Sequence, residues 1–156
     1  MTEPKLSADD RFEILDLLGK LYWALDTGDA EGLFALFAPD GVMTRGGGER
    51  FEGTERLREF AAHSTANEGT RGRQHVGKPL YFYPSDDGWT VRSYPQIFYC
   101  DPETDEKRLR TMSSSDDTCV KTDKGWRIKE RHNRSWSGDT LPWVGADPES
   151  LRGKQF

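Results

Sequence analysis

The sequence changes character near residue 73, and that change most restricts the fold. Before it, apolar residues recur at helical spacing. Residues 14, 15, 18, 21, 22 and 25 form one face of a helix that Ser7 can cap, with Asp10 placed for a capping box. Gly28 breaks this helix, and Asp29 can cap a short second one carrying Leu33, Phe34, Leu36 and Phe37. APDG (38–41) reads as a turn in which Pro39 fixes φ, Asp40 can bond the local backbone and Gly41 permits a positive φ. Val42–Thr44 reads as a short strand and RGGGER (45–50) as a loop or hairpin turn. FEG leads into a third helix over about 54–65, with Leu57, Phe60 and Ala61 buried, and 64–72 reads as a loop. Beyond it, 73–83, 89–100, 108–121 and 125–136 are rich in β-branched and aromatic residues and are separated by PSDDG, DPETDEK and TDKG. Helices first and an antiparallel meander afterwards predict an α+β fold: helices on one face of a curved sheet that encloses a pocket.

A chain of 156 residues fits one domain, and we expect residues 1–136 to form it. The tail, 137–156, has no periodicity and reads as a strap or lid, anchored by Trp136 and Trp143. With 22 basic and 27 acidic residues the net charge is −5, which gives no attraction to phosphate backbones and argues against nucleic-acid binding. No stretch approaches the ~20 apolar residues of a membrane span. The polar, acidic N-terminus lacks the design of a secretory signal, so a cytoplasmic location is expected. Only 34% of residues are hydrophobic, so the core must lean on five Trp, five Tyr and eight Phe. Cys100 and Cys119 lack CxxC spacing and read as reduced thiols; His63, His75 and His132 show no zinc pattern, so neither metal nor cofactor is expected.

Asp26 is the most informative position. It continues the apolar face of helix 1 four residues after Tyr22, at a helix C-terminus where the macrodipole disfavours negative charge. Either the helix frays and the carboxylate meets solvent, or the carboxylate has an inward partner. His75 shares a strand face with Arg73, Gly77, Pro79 and Tyr81. Alone it reads as a core histidine satisfied by a carbonyl; beside a carboxylate it becomes a general base working near neutral pH. In the last strand Trp126, Ile128, Glu130, His132, Arg134 and Trp136 alternate on one face, expected to be the inner one, unless a bulge exchanges His132 for Arg131. Tyr22, Tyr94, Phe98, Met112 and His132 are the candidate substrate-binding side chains. Asp116 and Asp117 read as structural, Arg108 and Arg110 as a solvated face, and His63 has no assigned role. The triplet Gly46–Gly48 lacks the Lys-Ser/Thr of a phosphate loop.

The succession LLGKLYWALDTGDAEGLFALFAPDGV, FEGTERLREF, RQHVGKPL and DKGWRIKER resembles the SnoaL-like division of the nuclear-transport-factor-two-like superfamily, over about residues 8–136. The resemblance implies a cone of three helices against a curved, mixed or largely antiparallel sheet. It looks like the scytalone dehydratase and bile acid 7α-dehydratase branch. There an Asp ending helix 1 pairs with a His on the strand after helix 3, and Asp26 and His75 match those places. Arg131 lies near an arginine that assists the leaving group in a related dehydrochlorinase. The second histidine of scytalone dehydratase has no match, which leaves the proton donor unassigned. The expected function is a cofactor-independent lyase or isomerase acting on a hydrophobic cyclic small molecule, with Asp26, His75 and Arg131 as the catalytic set. The alternative is a non-catalytic ligand-binding or assembly subunit, such as the small subunit of a ring-hydroxylating dioxygenase. A third reading, epoxide opening, would need an Asp–Arg–Asp arrangement. The resemblance also implies a homodimer, or alternatively a homotrimer, through the outer sheet face.

Overall fold

A computed structural model describes residues 5–66 and 71–137. Of the proposed strap, 137–156, residues 138–156 with Trp143 lie outside the described residues. The element order is α1 (Ala8–Thr27), α2 (Ala30–Ala35), β1 (Phe37–Thr44), β2 (Arg50–Glu52), α3 (Gly53–Ala66), β3 (Arg73–Ser85), β4 (Gly88–Cys100), β5 (Lys107–Thr122) and β6 (Gly125–Ser135). The chain thus has the α+β order that its periodicity predicts. No helix among the described residues is long and apolar enough to cross a membrane.

Ser7 caps α1 as read, but Asp10 answers with a bond to the Ser7 hydroxyl in place of the capping-box bond to its backbone N–H. Ser7 Oγ accepts the Asp10 backbone N–H at 3.0 Å and donates to Asp10 Oδ2 at 2.7 Å. The other Asp10 oxygen accepts from Lys121 Nζ at 2.7 Å and Trp126 Nε1 at 2.9 Å. One carboxylate therefore holds the Ser7 cap and docks the start of α1 on β5 and β6. The hydrogen bond from Lys121, with those from Ser7 and Trp126, lowers the Asp10 pKa to about 2. Its folded value lies below the unfolded one, so its contribution to stability is complete above about pH 4 and is lost as pH falls towards 2. We expect Asp10→Asn to melt lower than wild type at pH 5 and to lose less on acidification to pH 2, in thermal melts across that range.

The sheet is curved, unclosed and mixed, in the order β2-β1-β6-β5-β4-β3. β3 to β6 form the expected antiparallel meander, and β1 runs parallel to β6. Between Phe37 and Val42 the register of β1 against β6 shifts, so APDG bulges out of a longer strand than predicted. Gly41 does not take a positive φ there. It is needed for close approach: a Cβ would lie 2.8 Å from the Ala38 carbonyl oxygen. Phe37, read as helical, begins β1, and residues 50–52 form a strand against β1.

Three further irregularities curve the meander. Leu80 is extra in β3 (Pro79 faces Ser93, but Tyr81 faces Arg92). Arg110 is extra in β5, and Lys129 in β6. Each exchanges the inner and outer faces for the rest of its strand. The core lies between α1, α2, α3 and the inner face, on Ile14, Leu21, Leu33, Leu57, Val91 and Ile128.

Candidate active site

The bulge at Lys129 decides what enters the site. Trp126 and Ile128 are buried on the inner face, as the sequence pattern predicts. One extra residue then turns Arg131, Asn133 and Ser135 inward. His132 is correspondingly on the outer face, where its Nδ1 lies 3.0 Å from Arg134 Nη2. Burial and the charge of Arg134 lower the His132 pKa. Its expected place as an inner substrate contact is therefore corrected.

A cavity of about 490 Å³ opens between α1, α3 and the concave sheet, within the usual range for a small-molecule site. Its apolar wall includes Leu21, Leu25, Met43, Phe60, Pro95 and Ile97. Tyr94, Phe98 and Met112 do not line it. Pro95, Ile97, Thr111 and Ser113 do, and strand alternation sends the three expected contacts to the outer face. Tyr94 packs edge-on against Trp136, while Phe98 and Met112 are exposed.

His75 lines the cavity and meets Asp26, which does not line it. α1 does not fray before Asp26, which sits in its last turn. His75 Nδ1 lies 2.5 Å from Asp26 Oδ1, and the His75 backbone N–H donates to Asp26 Oδ2 at 2.8 Å. Both carboxylate oxygens are thus held by one residue, which fixes the imidazole plane as well as its partner. An ionised carboxylate only accepts, so a neutral imidazole paired with it carries its proton on Nδ1 and keeps Nε2 as the acceptor. The Asp26 and His75 side chains are 19% and 8% exposed, so the pair is largely shielded from bulk water.

The adverse helix dipole is answered by Arg73. Its Nη2 donates to the carbonyls of Leu25, at 2.5 Å, and Ser64, at 3.1 Å, in the last turns of α1 and α3. A cation at two helix C-termini opposes their partial negative charge. Arg73 Nε lies 3.9 Å from Asp26 Oδ1.

Tyr22 does not line the cavity but stands against His75, with ring centres 5.9 Å apart and planes 12° from parallel. This is possible because residue 77 is glycine: a Cβ there would fall 2.2 Å from Tyr22 Cε2. Burial raises the Tyr22 phenol pKa, with the Arg131 charge opposing. The Arg131 guanidinium carbon is 5.6 Å from the Tyr22 ring centre. Arg131 is itself clamped: its Nη1 lies 2.6 and 2.7 Å from the two oxygens of Asp117. Burial works against this guanidinium, but the Asp117 and Tyr22 charges outweigh it and raise the Arg131 pKa. Burial raises the Asp117 carboxyl, with Arg131 opposing. Among the described residues Arg131 pairs with one carboxylate, so the Asp–Arg–Asp geometry of epoxide opening is not assembled around it.

Sequence reasoning left several wall residues without a role. Arg45, Glu49, His63, Arg110 and Asn133 all line the cavity. Arg110 is exposed, as read, yet it also lines the cavity beside the β5 bulge, and its guanidinium carbon lies 5.8 Å from the Tyr99 ring centre. Asp116 and Asp117 are buried in ion pairs, Asp116 with Arg92 and Arg134 and Asp117 with Arg131. Cys100 and Cys119 are free thiols. No three of His, Cys, Asp and Glu converge as metal ligands among the described residues.

The profile of the SnoaL-like domain matches residues 7–132. The chain belongs to this family. Solved structures agree on the fold. An NTF2-like protein with a cystatin-like fold from Novosphingobium aromaticivorans is 25% identical, with a TM-score of 0.71 over 83% of this chain and 84% of that one. A candidate dehydratase of the NTF2-like family from Streptomyces avermitilis is 16% identical, with a TM-score of 0.72 over 84% of this chain and 99% of that one. ActVI-ORFA from Streptomyces coelicolor is 18% identical, with a TM-score of 0.72 over 83% and 96% respectively. No curated protein matches the chain. This SnoaL-like chain thus carries its carboxylate–imidazole pair on a fold that its neighbours use as well.

Proposed function

We propose that the protein is a lyase or isomerase that removes a proton from carbon in a cyclic small molecule, without a cofactor. The observation that carries this reading is the shielded 2.5 Å contact of Asp26 with His75, which lines the cavity. The resemblance to dehydratase-like proteins supports the same class. His75 Nε2 takes the proton, and Asp26 holds the ring and stabilises the imidazolium that forms. In an elimination, the C–H electron pair becomes the new π bond as the bond to the leaving group breaks. The leaving group departs with its electron pair, and Arg131 stabilises the charge that develops there. In an isomerisation the same pair is delocalised onto a carbonyl oxygen, and the proton returns at another carbon. Positioned base catalysis contributes roughly 10²–10⁴-fold.

The test is deuterium exchange from D₂O into ring ketones and β-hydroxy ring ketones, followed by mass spectrometry. Wild type should catalyse exchange or elimination, and His75→Ala should lose at least about 10²-fold. Full turnover in a folded His75→Ala protein would remove this mechanism.

The partner reading is a second copy of the chain. Val76, Phe98, Leu109 and Met112 are exposed on the outer face, and the β3–β4–β5 register brings them together. Such a face suits a homodimer. Met112→Glu should shift the mass in sedimentation towards the monomer, while an unchanged mass in the variant would remove this role for the face.

A further inference from the structure

We infer that His63 is the acid of the proposed elimination: its imidazolium gives a proton to the leaving oxygen while His75 takes one from carbon. This rests on the reading of the cavity as the reaction site, and it supplies the proton donor that the sequence left unassigned. A hydroxide is too basic to depart without a proton, so a base alone does not complete a dehydration near neutral pH. Arg131 can stabilise negative charge, but a guanidinium does not give up its proton in a protein, and the same holds for the other arginines of the wall. Thr111, Ser113 and Ser135 offer hydroxyls, which are far weaker acids than an imidazolium. The Ser113 hydroxyl already donates to the Pro95 carbonyl at 3.1 Å. Glu49 is an exposed carboxylate 3.5 Å from Arg45, and carboxylates ordinarily carry no proton at neutral pH. Tyr22 does not line the cavity. Imidazole is the side chain that both holds and gives a proton near neutral pH, and His63 is the second imidazole on this wall.

His63 stands in the last turn of α3. Phe60, His63 and Ser64 are three and four residues apart, share one side of the helix, and all line the cavity. That turn is tied to the strand carrying His75. Arg73 Nη2 donates to the Ser64 carbonyl at 3.1 Å, and Arg73 and His75 are alternate residues on the inner face of β3. Arg73 Nε also lies 3.9 Å from Asp26 Oδ1. One arginine thus holds the end of α3 against the strand and carboxylate that form the base. The cavity of about 490 Å³ between the two imidazoles suits a two-ring molecule in contact with both. Their surroundings differ as their roles require. The His75 side chain is 8% exposed and bound to Asp26, which fixes its tautomer. His63 is exposed and has no hydrogen bond or ion pair among the described residues, so it can exchange protons with water at each turnover. The C–H electron pair forms the π bond, the C–O pair leaves with the oxygen, and the His63 proton completes a water molecule. His75 then holds one proton more and His63 one fewer, and exchange with solvent resets both.

The experiment compares 3-hydroxy-1-decalone with 3-chloro-1-decalone, because chloride departs without a proton and hydroxide does not. Formation of the enone is followed by its ultraviolet absorbance, with the spontaneous rate subtracted. Wild type should eliminate both. His63→Gln changes an exposed side chain, so it should fold normally, and it keeps a hydrogen-bond donor without a proton to transfer. Its ratio of hydroxy to chloro turnover should fall by at least about 10²-fold. His75→Ala should lose both activities together. An unchanged ratio in His63→Gln, whether both rates fall or neither does, would overturn the inference, as would a wild type that eliminates chloride only or acts on neither compound. Deuterium exchange into unsubstituted 1-decalone keeps the two readings apart. Exchange that His75→Ala abolishes, with the ratio unchanged in His63→Gln, removes the acid alone. Exchange that survives in His75→Ala, with the ratio collapsed in His63→Gln, removes the base alone.

Discussion

Replacing Arg131 by leucine should lower folding stability by about 3–5 kcal/mol, the usual cost of removing one partner of a buried ion pair. The Asp117 carboxylate is fully buried and the Arg131 side chain is 5% exposed. Besides Arg131, Asp117 has a hydrogen bond at 3.2 Å from Ser115 Oγ, which cannot neutralise a charge. Without the guanidinium, Asp117 must fold protonated or remain as an uncompensated anion. Its pKa is already raised by burial, with Arg131 opposing, and the variant removes that opposition. A carboxyl whose folded value lies above its unfolded one binds protons on folding, so the deficit should shrink as pH falls towards the unfolded value. Urea titrations at pH 7 and pH 5 should therefore show a smaller gap from wild type at pH 5. The double variant Arg131→Leu/Asp117→Leu should recover much of the loss, because apolar replacement of a whole buried pair is often close to neutral. A loss below about 1 kcal/mol in the single variant would show that the pair is not desolvated as the structure places it.

That pair also shows where the sequence stops being informative. The face of α1 was legible because 3.6-residue periodicity is written within one element, and Asp26 simply continues it. His75 was legible for the same reason, since two-residue alternation held from Arg73 to Pro79. The fold class followed from the order of these patterns. The inner and outer faces of β5 and β6 were not legible. The extra residues at Arg110 and Lys129 leave no mark in composition, yet each inverts everything beyond it. One inversion turns Arg131 inward and His132 outward; at the other, Arg110 lines the cavity while staying exposed. Tyr94 and Phe98 went astray differently. Aromatic residues suggest burial, but in β4 it is Pro95 and Ile97 that face the cavity. The helix-end role of Arg73 depends on the ends of α1 and α3 converging, which neither segment encodes alone.

Asp26→Asn should leave the protein folded and lower turnover by about 10²–10⁴-fold, as expected where a carboxylate sets an imidazole tautomer. The backbone N–H of His75 donates to one Asp26 oxygen at 2.8 Å. An asparagine that keeps this bond must point its carbonyl oxygen there and turn its NH₂ towards Nδ1. Two donors cannot share that contact, so Nδ1 loses its proton and Nε2 carries it instead. The ring stays in place and the base facing the cavity disappears. Asp26→Ala removes both bonds, leaves a shielded N–H unsatisfied, and should cost stability as well, about 1–3 kcal/mol. The asparagine variant thus separates positioning from folding. Nitrogen NMR of labelled histidine should show the Nδ1–H tautomer of His75 in wild type and the Nε2–H tautomer in Asp26→Asn. Loss of turnover with the wild-type tautomer retained would mean that Asp26 acts on the substrate directly. Retained turnover with the exchanged tautomer would mean that Nε2 is not the base.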